Sequence, residues 1–343
     1  MLRIACLTVL LMGLLSDAGL AQESPRLVED RAPQGVAEDR APARLSPPAV
    51  LGTSPHVAPV PANRQALMRD SLTYRPRRFW WGVGGAAALD VVGMTALYQF
   101  WYRGTDRTAW HWYDRAGGTR WYDDWFTYVQ QDKLGHLYGS WVLTRAAAAY
   151  GRWSGLSRPR SAVLGITAST LFQAQIEFFD GFSDAYGASR TDLLANLAGS
   201  VLGGAQYAYP EALDWFTLKY SYHPSPYYVP SKLLGNGIQD YQGITFWLSL
   251  RPERMLPPRA KPLWPDWLAV AVGHSGTGLA HPVSGLNGGV HQRQLFIGPD
   301  VVIGELITLP RPVRFLQPVL SFIRLPLPTF QIAPDARMRW FYF

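Results

Sequence analysis

Apolar and polar positions divide the chain into segments of different texture. Arg3 is followed by an apolar run from Ile4 to Leu15, and Gly19-Leu20-Ala21 then places small residues at the −3 and −1 positions of a cleavage site. Twelve residues fall short of the roughly 20 needed to span a bilayer, so residues 1–21 are expected to act as a signal peptide. Between residues 22 and 71 no apolar period is present, and nine of the 27 prolines fall between Gln22 and Arg77. Such a segment cannot bury enough apolar surface to offset its chain entropy, which predicts a disordered Pro-rich tether.

Residues 72–210 carry four helical patterns, at about Phe79–Tyr102, Trp125–Tyr150, Arg160–Phe179 and Thr191–Pro210. The first holds a single charge, Asp90, and is long enough to cross a membrane. Gly151 and Ser157-Arg158-Pro159 close the second, and Asp192 falls in the first turn of the fourth. Gly199 and Gly203 form a small-xxx-small pair that lets a neighbouring helix approach closely. Residues 211–343 change character: thirteen prolines lie between Arg251 and Phe343, and short β-like runs occur at Thr245–Leu250, Leu268–Val272, Leu295–Leu309 and Arg337–Phe343. Phe343, after alternating Arg339 and Phe341, resembles an outer-membrane barrel signal, but the runs are too few for a closed barrel of eight strands. The expected fold is mainly α, a four-helix hydrophobic bundle associated with a membrane, followed by an irregular Pro-rich region with short strands.

Composition narrows the function classes. Charged residues are 17% of the chain, below the roughly 25% of soluble domains, while 14 Trp and 17 Tyr suit sites with one apolar and one wet side. The net charge of +7 is scattered, without a basic block or zinc-finger spacing. Nucleic acid is therefore excluded as an expected partner, and membrane lipid or a cell-envelope component is preferred. Cys6, the one cysteine, lies inside the N-terminal apolar run, so the chain beyond it can form no disulfide.

Candidate chemistry gathers at helix ends. Asp132, Lys133 and His136 open the second helix, with Asp132 and His136 four residues apart on one face. Glu177 and Asp180 end the third, and Arg190, Asp192 and Asn196 open the fourth. In successive antiparallel helices these ends share one pole. Ionisable groups on apolar helices are costly unless paired, and so suggest function. Gly82-x-Gly84-Gly85 lacks a preceding strand and reads as helix-packing glycine. Ser275, with His274 and Asp266, lacks a nucleophile elbow.

The runs Phe100-Trp101-Tyr102, Asp132-Lys133-x-Gly135-His136, Glu177-x-x-Asp180-Gly181-Phe182-Ser183 and Asp192-x-x-Ala195-Asn196-x-x-Gly199 resemble a family of bacterial envelope proteins, domain of unknown function 2279. Later stretches such as Tyr220-Ser221-Tyr222-His223 and Asp240-Tyr241-x-Gly243 are similar too, and the helical part distantly resembles VanZ-like proteins. The resemblance implies a periplasmic lipoprotein-like location and no defined reaction; Cys6 precedes the position a lipid-bearing cysteine would take.

Three functions fit these residues. In the first and preferred one the pole is a structural network, with Lys133 or Arg190 pairing Glu177 or Asp180 and with His136 and Asn196 bonding across helices. In the second, Asp132, His136, Glu177 and Asp192 hold a divalent metal that activates water against an envelope lipid or cell-wall intermediate. In the third, the pole captures a head group without turnover. Topology adds a constraint. Arg75, Arg77 and Arg78, and again Arg152, Arg158 and Arg160, would lie in the cytoplasm by the positive-inside rule, whereas a cleaved signal peptide puts the mature N-terminus outside. A bundle that does not cross the inner membrane removes the conflict.

Overall fold

The computed structural model describes residues 73–103, 106–113, 123–184, 186–226, 240–279, 290–310 and 317–342. The expected signal peptide, the tether and Phe343 lie outside these residues.

Helix α1 spans Pro76–Leu97, α2 Gln131–Trp153, α3 Arg158–Asp180 and α4 Arg190–Ala208. Their ends follow local chemistry. Pro76 and Pro159 occupy first-turn positions, where a missing N–H costs nothing. Gly155, at φ +98°, takes the left-handed conformation that turns the chain after α2. The Ser189 hydroxyl accepts a hydrogen bond from the Asp192 amide at 3.1 Å and caps α4.

Helices α2, α3 and α4 pack on one another. Glycines set their spacing: a Cβ on Gly199 would lie 2.1 Å from the Leu137 carbonyl oxygen, and one on Gly165 would lie 2.4 Å from that of Thr144. These three helices form the closely packed core, and α1 lies against it more loosely than the expected four-helix bundle requires. Helix α1 joins it through Phe79 and Val83 against Leu164, through the Tyr150 hydroxyl on the Phe79 carbonyl at 2.8 Å, and beyond these through Asp90, which accepts from Gln175 of α3 at 3.3 Å, and buried Met94. Further along α1, Leu89 and Val92 are exposed, and Gly84, Gly85 and Gly93 have no neighbour where a Cβ would stand.

The interior of the helical core is polar. Ser140, Thr144, Ser169, Gln173, Asn196, Ser200 and Gln206 are buried, while Val163, Leu194, Leu197 and Val201 face outward. Burial without a partner would cost each polar group several kcal/mol in an apolar setting, roughly 2–7. Bonds across the helices offset this: Ser200 to Ser169 at 2.9 Å, Ser169 to the Ser140 carbonyl at 3.0 Å, and Trp141 Nε1 to Gln206 at 2.7 Å.

The C-terminal region is a correction to the irregular stretch expected for residues 211–343. Six antiparallel strands follow in meander order: β1 Phe216–Tyr222, β2 Ile244–Leu250, β3 Leu268–Thr277, β4 Gln292–Val301, β5 Leu327–Ala333 and β6 Arg337–Tyr342. β1 and β5 were not expected, because Lys219 interrupts the apolar pattern of the first and Pro326 and Pro328 punctuate the second. The long run Leu295–Leu309 breaks after Val301 into a helical turn, Ile303–Leu306. Tyr138 of α2 stacks on Tyr220 of β1 at 5.9 Å and tilts against Phe246 of β2 at 5.8 Å, joining helices to sheet.

Substitution of Gly199 by Val is expected to destabilise the protein by about 1–3 kcal/mol, the usual cost of overpacking, because the added carbons meet backbone that cannot rotate away. Gly84→Ala, at an open position, is expected to leave the midpoint of chemical denaturation unchanged or to raise it. Equal midpoints for wild type and Gly199→Val would show that α2 and α4 are not in backbone contact.

Candidate functional site

The pole begins at an unusual helix entry. Tyr128, Val129 and Gln130 have φ of 48°, 48° and 66°, three successive non-glycine residues in the left-handed region, directly before α2. Such residues cost about 1–3 kcal/mol each and persist only where surroundings hold them. Here the Gln130 side chain donates to the Trp125 carbonyl at 3.0 Å, the Gln131 side chain to the Ile244 carbonyl at 3.0 Å, and the Tyr128 ring lies 4.8 Å from that of Tyr241. The first turn of α2 is thereby aimed at the ends of α3 and α4.

Lys133 is the centre of charge. Its Nζ meets Asp124, reaches Asp132 Oδ2 at 2.8 Å and lies 2.5 Å from Asp192 Oδ1, with its side chain almost wholly buried. His136 lies beside it. Its Nδ1 faces Asn196 Oδ1 at 3.1 Å and Glu177 Oε1 at 3.8 Å; its Nε2 faces Asp132 Oδ1 at 3.7 Å and Asp192 Oδ1 at 3.8 Å. Asn196 Oδ1 also accepts from Ser140 and Gln173, each at 3.0 Å. An oxygen acceptor on the Nδ1 side keeps the proton there and turns Nε2 toward the two aspartates.

The carboxylates differ by environment. Burial raises the pKa of Asp132, but Lys133 and His136 outweigh it and hold the group at about 2. Burial, and then the charge of Asp192, push Glu177 up to about 8. Burial, and then Asp132, push Asp192 up to about 7. Asp180, bonded by the Tyr102 hydroxyl at 2.7 Å, rises to about 6 through burial. For His136 burial opposes charge, yet Asp192, Asp132 and Glu177 together lift its pKa to about 9.

Single atoms of Asp132, His136 and Asp192 lie within 4.8 Å of one another, a set able to share one cation. Glu177 stands apart from that set. It is on the Nδ1 side, and its Oε2 accepts the Ser189 amide at 2.9 Å, so it orients His136 and the start of α4. Arg190 is not part of the cluster. It is exposed, with its guanidinium 4.4 Å above the Trp112 ring. The pairs expected between Lys133 or Arg190 and Glu177 or Asp180 are replaced by Lys133 with three aspartates. His274 and Ser275 sit on opposite faces of β3, and Ser275 Oγ is spent on the Ile244 carbonyl at 2.7 Å.

Sequence reasoning missed Asp124 and Tyr241, whose hydroxyl donates to Asp132 Oδ1 at 2.7 Å. Asp124 carried a signal, an acidic pair just ahead of the helix. Tyr241 carried none beyond its place in a shared motif, since its contact spans 109 residues.

Fold and site together define a polar-cored helical protein with an ionisable pole. Residues 119–208, which include Asp124 and all the helix-borne pole residues, match the model of a family described as "Predicted periplasmic lipoprotein (DUF2279)". The match agrees with the expected location in the cell envelope, exported and either periplasmic or membrane-associated. No curated protein and no solved structure matches the chain.

The shifts set a pH dependence. Between the ordinary values of 4.5 and 3.8 and the raised values of about 8 and about 7, native Glu177 and Asp192 hold more protons than the unfolded chain. His136, raised from 6.5 to about 9, has the same sign: its contribution is full below 6.5 and gone above 9. Stability of the chelator-treated protein is therefore expected to fall as pH rises from about 5 to about 9. Asp132 acts oppositely, but only below 3.8. Melting temperatures across this range should decline for wild type and decline less steeply for Glu177→Gln; identical slopes would refute the assignment.

Proposed function

We propose that the protein is a membrane-associated envelope protein whose helical pole binds a divalent cation, and through it an anionic envelope component. The observation that carries this reading is a buried excess of negative charge. Asp124, Asp132, Glu177, Asp180 and Asp192 face two cationic groups, Lys133 and His136. Glu177 Oε1 accepts no hydrogen bond, and Asp192 Oδ1 meets the Lys133 ammonium alone, at 2.5 Å. A buried carboxylate oxygen without a donor is costly, and a cation shared by these groups would satisfy it. Without an ion the excess is carried by protons, as the raised pKa values of Glu177 and Asp192 express. Two carboxylates and one imidazole suit a first-row transition ion such as Zn2+ or Mn2+ better than Ca2+.

Membrane association rests on α1. It is 22 residues long and apolar, with 11% of its most hydrophobic window buried. The partial exposure of His136 and Asp132, 21% and 16% of their side chains, favours a second reading. A cation there keeps a position open to solvent, where bound water could attack a phosphate or acyl ester of an envelope lipid.

Equilibrium dialysis of the chelator-stripped full chain against Zn2+ and Mn2+ is expected to show about one ion per chain, bound more tightly as pH rises because protons are displaced. Asp192→Asn and His136→Ala should abolish binding, and Arg190→Ala should retain it. Absence of any bound ion, with both variants melting as wild type does, defeats the cation reading. Turnover of a lipid phosphate ester, lost in the same two variants, distinguishes the hydrolase from the binding protein.

A further inference from the structure

The sheet is inside out. One side of it is buried and carries Lys219, Ser221, Ser249, Ser275, Asp300, Thr329 and Gln331 around the rings of Trp247, Phe296 and Tyr342. Lys219 Nζ pairs with Asp300 Oδ2 at 2.6 Å, and Ser249 donates to the same oxygen at 2.5 Å. The other side carries Leu248, Val272, Leu295, Ile297, Phe330, Ile332, Met338 and Trp340, each more than a third exposed, with His274 and Arg293 toward the far end of β3 and β4. Strand register sets these residues side by side: Leu248 opposite Val272, Val272 opposite Ile297, Ile297 opposite Phe330, and Phe330 opposite Met338. A half-buried sheet in water shows the reverse, apolar in and polar out.

The free edge of β1 is also covered. Tyr220 exchanges backbone hydrogen bonds with Phe322 and Arg324, at 2.9 and 3.0 Å, on the stretch that leads into β5. Arg324 then turns inward, 1% exposed. It donates to the carbonyls of Tyr342 and Pro299 and to Thr329, and lies 3.8 Å over the Trp247 ring. The sheet thus curls around a polar, ion-paired filling.

Helix α2 and the turn before it meet the sheet at Tyr220 and Phe246 and at the far ends of β3 and β4, near Gly276 and Arg293, while Leu248, Val272, Ile297, Phe330 and Met338 stay exposed. We propose that this bare outer side lies against the hydrocarbon of a phospholipid bilayer. Three observations select acyl chains over a protein partner. The sidedness is that of lipid-facing strands, which are polar within and apolar without. The ten residues of β3 and of β4 reach about 33 Å at 3.3 Å per residue, enough when tilted to cross an apolar band of about 25 Å. Trp215 and Trp267, both partly exposed, stand at one common end of the strands, where an aromatic girdle meets head groups. Beside the β1 edge, Ile323 lines a mostly apolar groove of about 450 Å3 with Val142, Leu143, Phe172 and Val319. This inference stands apart from the cation site and does not depend on it.

The test uses nitroxide labels at Val272→Cys, Ile297→Cys and Ile332→Cys, with Gln292→Cys at the strand end, in the full chain carrying Cys6→Ser. The protein is reconstituted in vesicles of phosphatidylethanolamine and phosphatidylglycerol. Labels at 272, 297 and 332 are expected to collide with oxygen and be shielded from a water-soluble nickel chelate, while the label at 292 meets the chelate. Chelate access at all four positions overturns the proposal, and so does shielding from both reagents, the mark of a protein partner or a second copy. Ile297→Asp with Phe330→Asp should open the label at 272 to the chelate while keeping the near-ultraviolet circular dichroism of wild type; a label at 272 that stays shielded in the folded double variant counts against it. A double variant that fails to fold leaves the decision to the four labels.

Discussion

Every layer of this protein depends on keeping polar groups satisfied inside it. In the helical core, hydroxyls and amides bridge α2, α3 and α4. In the sheet, an ammonium, a guanidinium and a carboxylate fill the concave side. Partnered in this way, the interior supplies geometry, and its stability depends on fit more than on an oily centre. Close helix approach through Gly165 and Gly199 follows from the same logic. Short polar side chains reach across only when backbones nearly touch.

At the pole this rule is met only in part. Lys133 neutralises much of the charge on Asp124, Asp132 and Asp192. Asn196 and Glu177 fix the ring of His136 from its far side. Glu177 Oε1 remains without a donor, and Asp192 Oδ1 has the Lys133 ammonium alone. Single unpartnered atoms such as Thr144 Oγ1 and Asp300 Oδ1 also occur elsewhere in the interior. Here the two oxygens face the one imidazole of the core, and strained backbone holds the whole group in place.

Much of this was legible in the sequence, and the parts that were not have a common cause. Helices α2 to α4 announced themselves by length, apolar content and flanking Gly and Pro, and the pole followed from connectivity alone. Asp132, Lys133, His136, Glu177, Asp192 and Asn196 do converge. Arg190 did not, because a guanidinium at a helix start finds a half-buried indole near the surface more cheaply than a buried carboxylate. The place of α1 was misjudged because an apolar helix reads the same whether protein or something else covers it. The sheet was hidden for the opposite reason. Its apolar residues alternate with buried Lys219, Asp300 and Gln331, and a reader expecting apolar interiors discounts such strands.

The joint between helices and sheet has a mechanical consequence. Gln131 and Asp132, in the first turn of α2, are bonded to Ile244 at the head of β2 and to Tyr241 just before it. The ionisable groups are therefore fixed in height relative to the tips of the strands. Any tilt or vertical shift of the strands carries His136 with it as one rigid lever, so the orientation of the sheet in its surroundings dictates which molecules can come within reach of that imidazole.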